Sequence, residues 1–196
     1  MKPTFLLLSL LAACFFSSCD VRRLNRVSQG NLYFTIGKVD SIPHWNEEGW
    51  THFFFVRHAE KLPPPADGLS EKGLKRARRL GNIMKDADLD LVFTTHTVRT
   101  RSTADSVRIR YNNIPGPTPE YPTADEAETA WLKQQLQENR GKRIFVVGHS
   151  NTVPRMVNKL MGPGSTLPDL DEKIFSTCFV VASRGMGDSE YLLNGY

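Results

Sequence analysis

The chain has 196 residues, 40% of them hydrophobic and 23% charged, and carries a formal net charge of +4. A domain of this length buries roughly 70% of the surface its unfolded chain exposes, and the composition excludes a disordered or fibrous protein. The weak positive bias gives no ground for a nucleic-acid partner.

The amino terminus, MKPTFLLLSLLAACFFSSCD, sets a lysine before an apolar run and small residues before a cysteine. This order reads as an export signal over residues 1–19 that ends like a lipoprotein signal. The run from Phe5 to Phe16 is well short of the roughly 20 residues of a membrane-spanning helix, so cleavage is expected rather than retention. Cys19, after FSS, is the preferred lipidation site, and Cys14, after LAA, is the alternative. The expected location is the bacterial cell envelope, with membrane contact through the lipid anchor only; secretion without a lipid is the other reading. A lipidated Cys19 cannot pair, so no disulfide framework is expected. Cys178, within the apolar run IFSTCFVVAS, reads as a small buried hydrophobe.

Residues 20–50 read as an N-terminal extension, with NLYFTIGKVDSI as a peripheral strand or hairpin, ahead of one domain over 51–196. The pattern then becomes regular: a strand at 52–56, a loop with LPPPADG, and a helix at about 70–84. In that helix Leu74, Ala77, Leu80 and Met84 mark the inward face, with Lys75, Arg76, Arg78 and Arg79 on a solvated one. A strand at 89–94 and a helix at 99–110 precede the Pro-rich connector NNIPGPTPEYP. A helix at 125–139, a strand at 144–147, a helix at 153–161 and strands at 174–183 and 190–194 complete the chain. Trp45, Trp50 and Trp131 are assigned to packing. Strands alternating with helices predict a three-layer αβα fold with a mostly parallel central sheet. FFFV and IFVV are the continuous apolar runs expected of strands covered on both faces.

In such sheets ligands bind beyond the carboxyl ends of the strands. That edge receives Arg57 and His58 after FFFV, His149 after IFVVG, and Arg99 near the helix start that follows LDLVFTT. Ser150 or Asn151 is the expected N-cap of the next helix, with Pro154 in its first turn, and helix N-termini bind anions. Two arginines, two histidines and these helix ends suit a phosphoryl group. Each charge-assisted hydrogen bond from an arginine contributes about 1.5–3 kcal/mol. A neutral imidazole beside them can attack phosphorus and form a phosphohistidine that water later cleaves.

The segments RHAEK, LSEKG, VRTRSTA and GHSNT, in this order, resemble the phosphoglycerate-mutase-like branch of the histidine phosphatase superfamily over roughly residues 52–196. The resemblance implies that His58 is transiently phosphorylated, that Arg57 and Arg99 bind phosphate, and that His149 contacts the phosphoryl group. It implies no metal or other cofactor, and the chain has no HExxH motif, cysteine pairs or carboxylate cluster of metal-ligand type. The expected partner is a small phosphorylated substrate or a phosphoprotein. Thr95, Ser150 and Asn151 are further pocket candidates. Thr95 and His96 stand where the family usually has Ser followed by Pro; Thr95 keeps the hydroxyl, and His96 is close enough to Arg99 to line the pocket. His44 and His52 read as exposed or hydrogen-bonded.

The family motif around the leaving-group acid is missing. Glu120 and Asp125 of the connector, and Glu60 beside the nucleophile, are the candidates for that role. The alternative function is an envelope-anchored module that binds a phosphate ligand with weak turnover or none. A serine hydrolase is disfavoured because GHSNT has Thr152 where the nucleophile elbow needs Gly. The export signal disfavours a cytosolic mutase.

Overall fold

A computed structural model describes residues 22–109 and 114–196; the expected export signal and both candidate lipidation cysteines lie outside them. Strands β1 (Leu24–Ser28), β2 (Asn31–Phe34) and β3 (Val39–Ser41) form a small antiparallel sheet. The chain continues through β4 (Thr51–Arg57), α1 (Glu71–Met84), β5 (Leu91–Thr94), α2 (Val98–Arg108) and α3 (Asp125–Glu138). It ends with β6 (Arg143–Gly148), α4 (Thr152–Met161), β7 (Thr177–Gly185) and β8 (Asp188–Gly195).

The larger sheet has the order β5-β6-β4-β7-β8. β4, β5 and β6 run parallel, and the hairpin β7–β8 adds an antiparallel edge beside β4. β4 is buried along its whole length, as its unbroken apolar run requires. Phe54 and Val56 pack on one face with Leu80 and Ile83 of α1 and Ala104 and Val107 of α2. Phe53 and Phe55 pack on the other with Leu132 of α3 and Val153, Met156 and Val157 of α4. The result is the expected three-layer αβα arrangement. Trp131 is buried in the second layer, edge-on to Phe93 with ring centroids 5.1 Å apart.

The stretch before residue 51 is more than a peripheral appendage. Leu24, Val27, Leu32, Phe34 and Ile42 are buried in the same core as β4 and α1, and burial of such side chains stabilises by about 1.5–3 kcal/mol each. A register shift between Leu24 and Arg26 in β1 breaks the two-residue alternation on which strand recognition depends. In α1 the inward face carries Ala77, Leu80 and Met84 as expected, but not Leu74. Leu74 is 42% exposed while Gly73 is buried, because a Cβ at Gly73 would lie 2.1 Å from the carbonyl oxygen of Glu60. The helix approaches the backbone after β4 more closely than any side chain permits. β7 begins later than predicted, at Thr177, because Asp171 and Ile174 give their carbonyls to Arg57 instead of a sheet.

Candidate active site

Because β4, β5 and β6 are parallel and in register, with Arg57 opposite Gly148 and Thr94 opposite Val147, their carboxyl ends open on one cleft. Arg57, His58, Lys61, His96, Arg99, His149, Ser150, Asn151 and Glu172 line it. The close packing of the turns fixes this edge. A Cβ at Gly148 would lie 2.5 Å from the Tyr121 hydroxyl and 2.6 Å from Thr152 Oγ1, so only glycine lets the chain turn from β6 into His149. Ser70 caps α1 by accepting from the Gly73 N–H at 3.1 Å, and its own N–H donates to the Glu60 carbonyl at 2.9 Å. The N-terminus of α1 is thereby pinned beside the residues just after His58.

His58 is held in one tautomer. Its Nδ1 lies 2.7 Å from the Ala59 carbonyl oxygen, which can only accept, so Nδ1 carries the proton. Nε2 is then a bare lone pair, and it accepts from Arg99 Nε at 3.2 Å. Burial, reinforced by His149, Arg99 and Arg57, pushes the imidazole pKa down to about 4. The ring is neutral at physiological pH, as a nucleophile must be. Thr103 of α2 braces it by accepting from the Ala59 N–H at 3.1 Å while donating to the Arg99 carbonyl at 2.8 Å.

The ring of His149 stands nearly perpendicular to that of His58, with centroids 5.5 Å apart. Burial and then Arg99 lower its pKa to about 4. Its Nε2 pairs with the hydroxyl of Thr95 at 3.0 Å, and Thr95 pairs with Thr100 at 2.8 Å. Thr95 and Thr100 are fully buried, so Thr95 supports His149 from behind rather than lining the cleft. Asn151 occupies the N-cap position of α4 without a capping side-chain bond; Thr152 Oγ1 instead accepts from the His149 N–H at 2.9 Å.

In an NMR titration His58 and His149 are therefore expected to titrate near pH 4, while His44, held up chiefly by its bond to Glu47, titrates above 6.5. Unfolded histidines bind protons near 6.5, so between the two values the unfolded chain holds more protons, and stability falls as pH drops from about 6.5 to 4. A His58 midpoint at or above pH 6 would contradict the burial and tautomer described here.

Arg57 is 2% exposed. Its NH1 donates to the carbonyls of Asp171 and Ile174 at 2.9 and 3.2 Å, its NH2 to Glu172 at 2.6 Å, and its guanidinium lies 4.2 Å over the Phe175 ring. Its Nε is buried with no hydrogen-bond partner. Arg99 NH1 pairs with Asp67, whose second oxygen accepts from the Val98 N–H at 2.7 Å at the start of α2. Asp67 is held below the usual carboxylate range: burial opposes this, but the Val98 bond and Arg99 outweigh it. Glu172 is held down by the Ser150 hydroxyl and by Arg57. Each arginine thus rests against a carboxylate.

The structure places none of the three carboxylates named as leaving-group acids in the cleft lining. Glu60 is clamped by Arg76 through two bonds of 2.8 Å. Burial pushes its pKa up, but the Arg76 bonds prevail and bring it to about 2, so it has no proton to give near neutrality. Glu120 pairs with Arg101. Asp125 sits at the start of α3 within 3.1 Å of Lys159. Asp67 and Glu172 are the acidic groups that sequence reasoning missed. Both lie in loops of Pro, Gly and acidic residues, without periodicity to single them out. The buried stripe Thr100, Thr103, Ala104 and Val107 on α2 was readable as a helical face. Cys178 is fully buried, and burial raises its thiol pKa to about 12, which makes it inert. Among the described residues no group of His, Cys, Asp and Glu side chains is arranged to hold a metal ion.

No family model and no curated protein matches the chain. Solved structures do. The protein histidine phosphatase SixA, complexed with tungstate, superposes with a TM-score of 0.62 at 20% identity, covering 74% of this chain and 96% of that one. A phosphoserine phosphatase from Entamoeba histolytica, in complex with 3-phosphoglyceric acid, superposes with a TM-score of 0.53 at 13% identity, covering 74% and 98%. At these identities the likeness is one of architecture: the chain has the phosphoglycerate-mutase-like αβα fold on which these phosphatases are built.

Proposed function

We propose that the protein is a phosphatase that acts through a covalent phosphohistidine at His58. The observation that carries this reading is the bare Nε2 of a neutral His58, aimed at Arg99 and backed by an Nδ1–H bonded to a carbonyl. In the first step Nε2 forms a bond to phosphorus as the bond to the leaving group breaks with its electron pair. The positive charge that develops on the imidazole is stabilised at Nδ1–H by the Ala59 carbonyl. Arg99 and Arg57 stabilise the phosphoryl oxygens. In the second step water attacks phosphorus, the P–N bond breaks, and its electron pair returns to Nε2.

With Asp67 and Glu172 ion-paired and Glu60 ionised, the cleft offers no carboxylic acid to a poor leaving group. The reading therefore favours phosphoryl groups that leave readily, such as those of phosphohistidine or an aryl phosphate. The similar SixA is a protein histidine phosphatase bound to tungstate, a tetrahedral oxyanion like phosphate, which supports a substrate of this class. Residues 1–19 support delivery to a cell envelope, anchored through Cys19 or Cys14 or else secreted.

The test is hydrolysis of p-nitrophenyl phosphate and of phosphohistidine by the full chain in excess chelator. Turnover of both is expected. Tight binding of phosphate or vanadate with no turnover of either would overturn the reading in favour of a phosphate-ligand-binding module.

A further inference from the structure

The fold sets β1 alongside α1. A parallel bridge joins Ser28 to Asp86 just past the end of α1. At the other end Arg22 and Arg23 share a cleft with Arg76, and between them Arg26 and Tyr33 border Asn82 and Lys85. One continuous surface results, and it is basic. Lys72 and Arg76 are paired with Glu60, Lys75 with Glu71, and Arg22 with Asp40. Arg23, Arg78, Arg79 and Lys85 are exposed, and among the described residues they have no carboxylate partner. Arg26 has only the face of Tyr33, 4.2 Å from its guanidinium. On the opposite layer, by contrast, the first turn of α3 is acidic, with Asp125, Glu126 and Glu128.

This face is where the chain enters the fold. Arg22 follows Cys19 by at most about 10 Å of extended chain, and Cys14 by at most about 28 Å. The proposal rests on the envelope reading: a lipid on Cys19 holds the β1 end of the surface at a distance comparable to the roughly 8 Å Debye length of physiological salt. We propose that the β1–α1 face lies against an anionic lipid surface, with Arg23, Arg26, Arg78, Arg79 and Lys85 facing the headgroups. A short tether alone leaves the domain free to tumble. Unpaired cations beside the tether give it one preferred orientation, since each basic residue near an anionic bilayer adds an attraction that decays within a Debye length. A membrane-facing β1–α1 surface is independent of catalysis at His58.

The experiment places the full chain in vesicles of phosphatidylcholine with or without phosphatidylglycerol and measures lysine acylation rates by mass spectrometry. Lys72, Lys75 and Lys85 are expected to react at least about fivefold more slowly on anionic vesicles than on neutral ones, the scale of a single basic contact. Lys133 on α3 should be unchanged. The difference should disappear at high salt and in the double variant Arg78→Glu, Arg79→Glu, whose exposed positions leave folding intact. Equal rates on the two vesicle types, or protection of Lys133 instead, would overturn the proposal. So would protection of the three α1-side lysines by an oligonucleotide but not by anionic vesicles, which would assign the face to nucleic acid.

Discussion

Replacement of His58 by Ala is expected to lower phosphatase turnover by at least about a thousandfold, the scale on which loss of a covalent nucleophile is felt. The circular dichroism spectrum and the cooperativity of unfolding should stay those of the parent. The ring is nearly buried, but its polar contacts to protein are the Ala59 carbonyl and Arg99 Nε. The backbone around it is held independently, by the His58 N–H to the Gly148 carbonyl at 2.9 Å and by Thr103 on Ala59. The phosphate-binding groups therefore survive the substitution. The variant should bind vanadate or phosphate within about tenfold of the parent, since Arg57, Arg99 and His149 keep their positions. Loss of turnover together with loss of binding would point to collapse of the cleft instead.

Replacement of Arg99 by Ala is expected to lower kcat/KM by about a hundred- to a thousandfold, the usual cost of removing one preorganised donor to developing charge. Two effects combine here. The phosphoryl group loses a guanidinium, and His58 Nε2 loses the donor that orients its lone pair. A third consequence separates this site from a generic anion pocket. Without Arg99, Asp67 keeps its bond to the Val98 N–H but faces the incoming phosphate as an uncompensated negative charge. A second substitution, Asp67→Asn, should therefore recover part of the loss in the Arg99→Ala background, whereas in the parent it removes only the resting partner of Arg99. Additive effects of the two substitutions would show that Asp67 and Arg99 are not coupled.

The parallel strands, the helices between them and the edge that gathers Arg57, His58, Arg99 and His149 were legible because they rest on long, strong signals. FFFV and IFVVG can only be buried strands, and residues at the carboxyl ends of neighbouring parallel strands share one edge. In the N-terminal sheet the β2–β3 hairpin was legible in NLYFTIGKVDSI, but β1 was not: it offers only Leu24 and Val27, spaced by a bulge rather than by two. Gly73 belongs to the segment LSEKG, yet the reason for a glycine there is its approach to the Glu60 carbonyl, a contact no local pattern encodes. Spacing points to the connector for the leaving-group acid. It cannot show that Glu60 is already locked to Arg76, or that the carboxylates paired with Arg99 and Arg57 are Asp67 and Glu172. Ion pairing between loops is decided by tertiary geometry, and loops carry no period from which to read it.

Trapping the covalent intermediate is the most direct test of phosphoryl transfer through His58. The full chain is mixed with a radiolabelled phosphoryl donor, quenched in alkali within one turnover, digested and mapped by mass spectrometry. One phosphoryl group per chain is expected on His58, stable to alkali, lost in mild acid, and absent from the His58→Ala variant. A label on Ser150 or another residue, or steady turnover with no phosphoenzyme in a burst of product, would contradict it.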